Sequence, residues 1–206
     1  NISVLNQSYR VPLDVHLIAT QVVSRIKNRR PKEWAPRAYK GEVRYHAYPG
    51  AVDLSEGNWL ALATCSYMLN DIEEDLRHLG LPYTIYGKTP IKQDLLKAVS
   101  AWKRLNHFEQ LNYNDVAAIY ANLKTGFNVK RGYKTLKTLE EGQMYNIESL
   151  CMNHGLINAG IPWDVAFTSL SEKDKSYIMS LEKHGGLGVD PKINLSTIHM
   201  AKGGEC

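Results

Sequence analysis

Apolar positions recur along the chain in two alternating rhythms. Residues 2–5 (Ile-Ser-Val-Leu) form a short apolar run. Beyond a polar turn, Val15, Ile18, Ala19, Val22 and Ile26 share one face of a helix that Pro12 can open from its first position. Residues 41–48 read as extended. Residues 58–65 are almost continuously apolar, as expected for a strand covered on both faces. Leu69, Ile72, Leu76 and Leu79 then recur at helical spacing until Gly80 stops them, and residues 82–86 give another short strand. Strand, helix, strand in this order predicts βαβ units and a parallel sheet.

Between residues 91 and 185 the strand rhythm disappears. Ile91, Leu95, Val99, Trp102 and Leu105 form one helical stripe, and Val116, Ile119, Tyr120 and Leu123 another. Further helices are predicted over 146–153, 162–170 and 171–184, the last opened by Ser171 with Asp174 and closed by Gly185. Residues 193–198 return to an extended apolar pattern. The expected organisation is an α/β sheet built from 1–87 and 186–206, interrupted by an all-helical inserted subdomain of 88–185.

Composition narrows the function classes. With 206 residues and 44% hydrophobic content the chain can bury a real core, which rules out disorder. Its longest apolar runs, such as residues 60–63, fall far short of the roughly 20 residues of a membrane span, so no membrane partner is expected. The first residues lack the pattern of a secretory leader, and an intracellular, cytoplasmic protein is expected. Cys65, Cys151 and Cys206 are odd in number and widely spaced, against both a disulfide framework and a structural zinc site. No metal ligands are expected in the chain.

The formal net charge of +4 hides an uneven distribution. Residues 25–44 carry eight Lys or Arg against Glu33 and Glu42. A second cluster, Lys124, Lys130, Arg131, Lys134 and Lys137, contains Phe127 and Tyr133 and is punctuated by Gly126 and Gly132. Such a stretch suits a polyanion whose bases can stack, or else a solvated surface loop.

Among the short motifs, Gly87-Lys88-Thr89 is no phosphate loop, since the required first glycine falls on Pro82, which has no N–H to offer. Asp71, Glu73, Glu74 and Asp75 lie within a helix and read as a solvated face rather than a magnesium site. Cys151 and His154 read as a helix end with a buried thiol. Tyr9-Arg10, at the exit of the first strand, offers a ring to stack on a base and a guanidinium to take a phosphate, the alternative being a turn packed on the following helix.

Three segments, in order along the chain, carry a family resemblance. They are Asn6-Gln7-Ser8-Tyr9-Arg10, the stretch Leu79-Gly80-Leu81-Pro82-Tyr83-Thr84-Ile85-Tyr86-Gly87, and Thr197-Ile198-His199-Met200-Ala201-Lys202-Gly203-Gly204-Glu205. Together they resemble the second RecA-like domain of the UvrD/Rep/PcrA group of superfamily 1 DNA helicases, the last being the most specific match.

The resemblance implies an incomplete RecA-like sheet of the P-loop NTPase type with a helical insertion. It implies that Arg10 reaches the ATP γ-phosphate as the catalytic arginine, that Tyr9 stacks on adenine, and that Gly204 and Glu205 lie at the nucleotide, Glu205 on its ribose. Thr197 and His199 would face the DNA backbone. Thr64 is expected at the DNA by its position, although it and Ser66 stand where the family usually has Arg and Asn. Lys130 and Arg131 add to the expected DNA surface. ATP and Mg2+ would serve the intact enzyme, with the metal ligands on a first RecA-like domain that this chain lacks. The chain also lacks the V-T-R-A-type motif expected after residue 205. The expectation is therefore a helicase fragment, inactive by itself. The whole would move 3′→5′ and contact single-stranded DNA and duplex junctions. The alternative is a nucleic-acid-binding or partner-docking module of the same fold with no ATP chemistry.

Overall fold

The structure, a computed structural model, describes residues 6–29 and 33–202. It divides into two units, Asn1–Ala51 and Val52–Cys206. The strand expected over residues 2–5 lies outside the described residues, as do Gly204 and Glu205.

In the first unit a single helix, α1 (Leu13–Ser24), follows Pro12. Pro12 stands just before the helix, not at its first position, with φ −65° and ψ 162°. The first helical N–H groups, which have no partner within the helix, are taken up by the loop below: Leu13 N–H donates to Tyr39 O and Asp14 N–H to Lys40 O, both at 2.9 Å. That loop can pass so close only because Gly41 has no side chain, since a Cβ there would sit 2.6 Å from the Pro12 Cβ. Gln7 forms a parallel bridge with Ala35. Residues 41–48, expected to be extended, form no strand. No residue of α1 is buried, and Val15, Val22 and Ile26 are exposed.

The second unit opens with β1 (Trp59–Ala63), a 3-10 turn (Ser66–Leu69), α2 (Asn70–Leu79) and β2 (Tyr83–Ile85). It continues with α3 (Gln93–Asn106), β3 (Leu111–Asn112), α4 (Tyr113–Asn122), β4 (Met144–Tyr145), α5 (Ile147–Asn153), α6 (Trp163–Ala166) and α7 (Glu172–Lys183). It closes with β5 (Ile193–Thr197) and α8 (Ile198–Ala201). β1, β5 and β2 form a three-stranded parallel sheet in that order, with β5 in the centre. Ala61 and Ile85 both stand opposite Leu195, which is fully buried. The chain is thus a mixed α/β protein with a parallel sheet. Among the described residues β1 lies at the edge of this sheet, and Trp59 and Leu62 are exposed, so the expectation of a strand covered on both faces is corrected. An apolar run reports hydrophobicity and not which neighbours arrive to cover it.

The helices mostly follow the predicted stripes. Gly80, at φ 64°, closes α2: its N–H donates to Arg77 O and that of Leu81 to Leu76 O. Asn146 and Ser149 cap α5 reciprocally, and Ser171 caps α7 by accepting from Asp174 N–H. The helix expected over 162–170 stops at Ala166, where Phe167 turns into the core. β3 and β4, a two-residue antiparallel pair, were not predicted, because two residues leave no alternation to read. Helical segment and sheet share one core, from Leu76, Tyr83 and Leu195 to Trp102, Tyr120, Leu150 and Phe167. Polar bonds close the same seam. The Arg77 guanidinium donates to Glu73 at 3.0 Å and across to Asp174 at 3.1 Å, and Tyr177 OH donates to Leu81 O at 3.0 Å. Among the described residues no helix is long and apolar enough to cross a membrane.

Candidate functional site

Parallel strands direct all their carboxyl ends to one edge, and in an open α/β sheet that edge is where ligands gather. Here the register sets Ala63 opposite Thr197, so that Thr64 leaves β1 beside the end of β5. Thr197 ends its strand in an extended conformation, and its hydroxyl accepts from Met200 N–H at 3.4 Å, turning the chain into α8. This turn presents Ile198, His199 and Met200 to solvent, with Lys202 after them. Thr64, Cys65, Ser66, Tyr67 and Met68 are exposed at the adjacent strand exit. The structure therefore brings Thr64, Thr197 and His199 to one edge. It adds exposed Tyr67 and Met200 there, which the sequence reading did not single out; their apolar bulk beside polar residues at two strand exits was the available signal.

At the third strand exit, Ile85 and Lys88 exchange backbone hydrogen bonds of 2.8 and 3.0 Å around Tyr86 and Gly87, whose φ values are 51° and 75°. Two positive φ angles make this a tight hairpin turn. Three of its N–H groups are bonded within the backbone, Ile85 to Lys88 O, Tyr86 to Leu195 O and Lys88 to Ile85 O.

Tyr9 and Arg10 belong to the first unit. Ser8 N–H donates to Ala35 O at 2.8 Å, and the Ser8 hydroxyl accepts from Val11 N–H at 3.1 Å, which fixes the backbone on both sides of the pair. Tyr9 is 83% exposed, and Arg10 is exposed as well. Arg10 and Glu205 thus fall respectively in the first unit and outside the described residues, and their expected meeting at one nucleotide has no geometry here.

The second basic cluster is folded as two successive turns. In the first, Gly126 N–H donates to Val129 O, and Phe127 and Asn128 N–H both donate to Lys124 O. In the second, Tyr133 N–H donates to Lys130 O ahead of a 3-10 turn, Tyr133–Thr135. Lys134 is exposed too, but its Nζ is drawn towards the end of α4, donating to Leu123 O at 2.9 Å. Lys124, Lys130, Arg131 and Lys137 are exposed, and among the described residues none has an acidic partner.

Two sequence motifs take structural roles. Glu73, in the acidic run, accepts from Arg77 and from Tyr83 OH, both at 3.0 Å, so it is an internal partner and not part of a solvated face; its spacing of four from Arg77 was the legible sign. Cys151 lies on α5 with its thiol pushed up by burial, and a His154 ring nitrogen pairs with the Thr138 hydroxyl at 3.0 Å. Among the described residues no cluster of His, Cys, Asp or Glu could hold a metal ion.

Comparison with known proteins adds no relative to this picture: no family model matches the sequence, and no curated protein or solved structure matches it either.

Proposed function

We propose that this chain supplies the second motor domain of an ATP-dependent DNA helicase of the UvrD/Rep/PcrA kind, contributing part of the ATP site and part of the track for single-stranded DNA, with 3′→5′ movement. One observation supports this reading above the others. The segment most like the family's motif, Thr197-Ile198-His199-Met200-Ala201-Lys202, issues from the central strand of a parallel sheet, at its carboxyl edge and beside Thr64. A motif that couples nucleotide and DNA needs that location, because only there do several strands deliver side chains to one ligand.

In this reading Thr64, Thr197 and His199 hold the DNA backbone, and Tyr9 and Arg10 meet adenine and γ-phosphate, with Gly204 and Glu205 completing the nucleotide contacts. Arg10 would act chiefly in the transition state, since a planar guanidinium matches the spread charge of a transferring phosphoryl group, whereas Lys offers a single point charge. The residues that hold Mg2+ and the β- and γ-phosphates would come from a phosphate-loop domain joined to this one.

The test is ATP hydrolysis. The 206-residue chain alone should not turn over ATP. In a polypeptide carrying it together with a phosphate-loop domain, Arg10→Ala should lower DNA-stimulated hydrolysis by about a thousandfold while nucleotide binding is largely kept. Near-parental turnover by Arg10→Ala would overturn the role. DNA binding without any turnover, even in that longer polypeptide, would favour a binding module of the same fold.

A further inference from the structure

We propose that the paired turns at residues 124–137 form a docking surface for single-stranded nucleic acid, on which the Phe127 ring stacks against a base while Lys124, Lys130, Arg131 and Lys137 meet phosphates. The choice of polymer rests on the nucleic-acid reading above. The surface itself does not depend on ATP chemistry.

Phe127 is held at the tip of a turn whose backbone is bonded almost throughout. Its own carbonyl accepts from Asn158 Nδ2 at 2.6 Å, and Asn158 adopts a left-handed φ of 53° at that position. The carbonyl of the next residue, Asn128, accepts from Ile157 N–H at 2.7 Å, and Val129 bridges Leu156. The second turn is fastened to the same stretch: Lys130 N–H donates to Gly155 O at 2.8 Å, and the Tyr133 ring packs so tightly on Gly155 that a Cβ there would lie 2.4 Å from its Cγ. Both turns therefore share one backing segment, residues 155–158, and are presented as a unit.

Phe127 keeps 37% of its surface exposed. A solvated loop has no need of a phenyl ring at a rigid tip, and a ring carried on a bonded backbone loses less entropy when a base covers it than one on a mobile loop. Base stacking tolerates any sequence, while the four unpaired cations supply the phosphate contacts. Lys134 is held by the Leu123 carbonyl and is assigned no direct phosphate contact. A lipid surface or an acidic protein would use the charges but would gain no specific contact from a lone ring of this kind.

The experiment is fluorescence anisotropy with the full chain, using oligothymidylate of about 16 nucleotides and an abasic strand of equal length and charge. Phe127→Ala should weaken oligothymidylate binding about tenfold and leave the abasic strand unaffected, while Phe127→Trp should bind at least as well and show fluorescence quenching. Replacing Lys130 and Arg131 by Ala should weaken both strands and flatten the salt dependence by about one unit per lost contact. Lys134→Ala should flatten the salt slope less than the loss of Lys130 or Arg131 does.

Equal binding of both strands by wild type and Phe127→Ala would overturn the stacking surface. If Thr64→Ala and His199→Ala still weakened binding in that case, the helicase reading would survive it. Binding to anionic phosphatidylserine vesicles but to neither oligonucleotide would overturn both.

Discussion

Asn128 shows how one residue can work against the fold that holds it. It is fully buried in the first basic turn, its backbone bonded at both ends, yet no protein atom bonds either side-chain oxygen or nitrogen. An enclosed carboxamide without partners costs about 1–3 kcal/mol, whereas an apolar group of the same shape costs nothing of the kind. Asn128→Leu is therefore expected to raise the unfolding free energy read from denaturant melts, by up to about 1 kcal/mol, without changing the Phe127 turn. A loss of stability would show that the carboxamide is bonded after all. Asn158 works in the opposite sense: its left-handed backbone is a strained position that Asn tolerates better than most residues, and its side chain secures the Phe127 carbonyl.

At the scale of elements, α2 and α7 meet through the glycine that ends α2. Gly80 is needed for its left-handed φ, and also because a Cβ there would lie 2.2 Å from the Ser180 carbonyl oxygen on α7. Gly80→Ala should thus cost well beyond the roughly 1 kcal/mol of backbone strain alone, because the new methyl meets backbone and one helix must move. Thermal unfolding would read this as a drop in Tm of more than about 5 °C. A substitution tolerated with little change would mean that the two helices are free to separate. The Arg77 guanidinium lies at the same seam. Burial opposes its charge, but Asp174, Tyr83 and Glu73 together raise its pKa above the usual value, so it stays a firm cation between two carboxylates.

Across the whole molecule, three phenols tie stability to alkaline pH. Tyr83, Tyr120 and Tyr177 all have pKa values pushed well up, in each case mainly by burial, with Arg77 opposing the rise at Tyr83 and Tyr177. In the unfolded chain a phenol ionises near pH 10. A raised folded pKa means that the native state holds the proton longer, so these groups leave stability intact below about pH 10 and erode it as pH climbs above that value. Urea midpoints should accordingly fall between about pH 10 and 12, and the tyrosinate absorbance of these three residues should appear only together with unfolding. If their absorbance rose while circular dichroism stayed native, the phenols would be reachable by hydroxide in the folded state.

The amino-acid sequence by itself determined the local decisions: the stripes that became α3 and α4, the cap at Ser171, the stop at Gly80, and the return to a strand at Ile193–Thr197. Periodicity and capping depend on near neighbours, so they can be read in order along the chain. The same reading marked Thr64, Thr197 and His199 by resemblance, and the basic cluster by charge. Only tertiary structure decided what depends on residues far apart in the chain. It set β5 between β1 and β2, which puts Thr64 beside Thr197. It carried Arg77, already paired with Glu73 along its own helix, across to Asp174 on α7. It also tied Lys134 to a helix end, while the four other cations around Phe127 have no acidic partner among the described residues. A lysine bound to a carbonyl and a lysine in water are the same letter, and they differ only in what the folded chain brings within 3 Å.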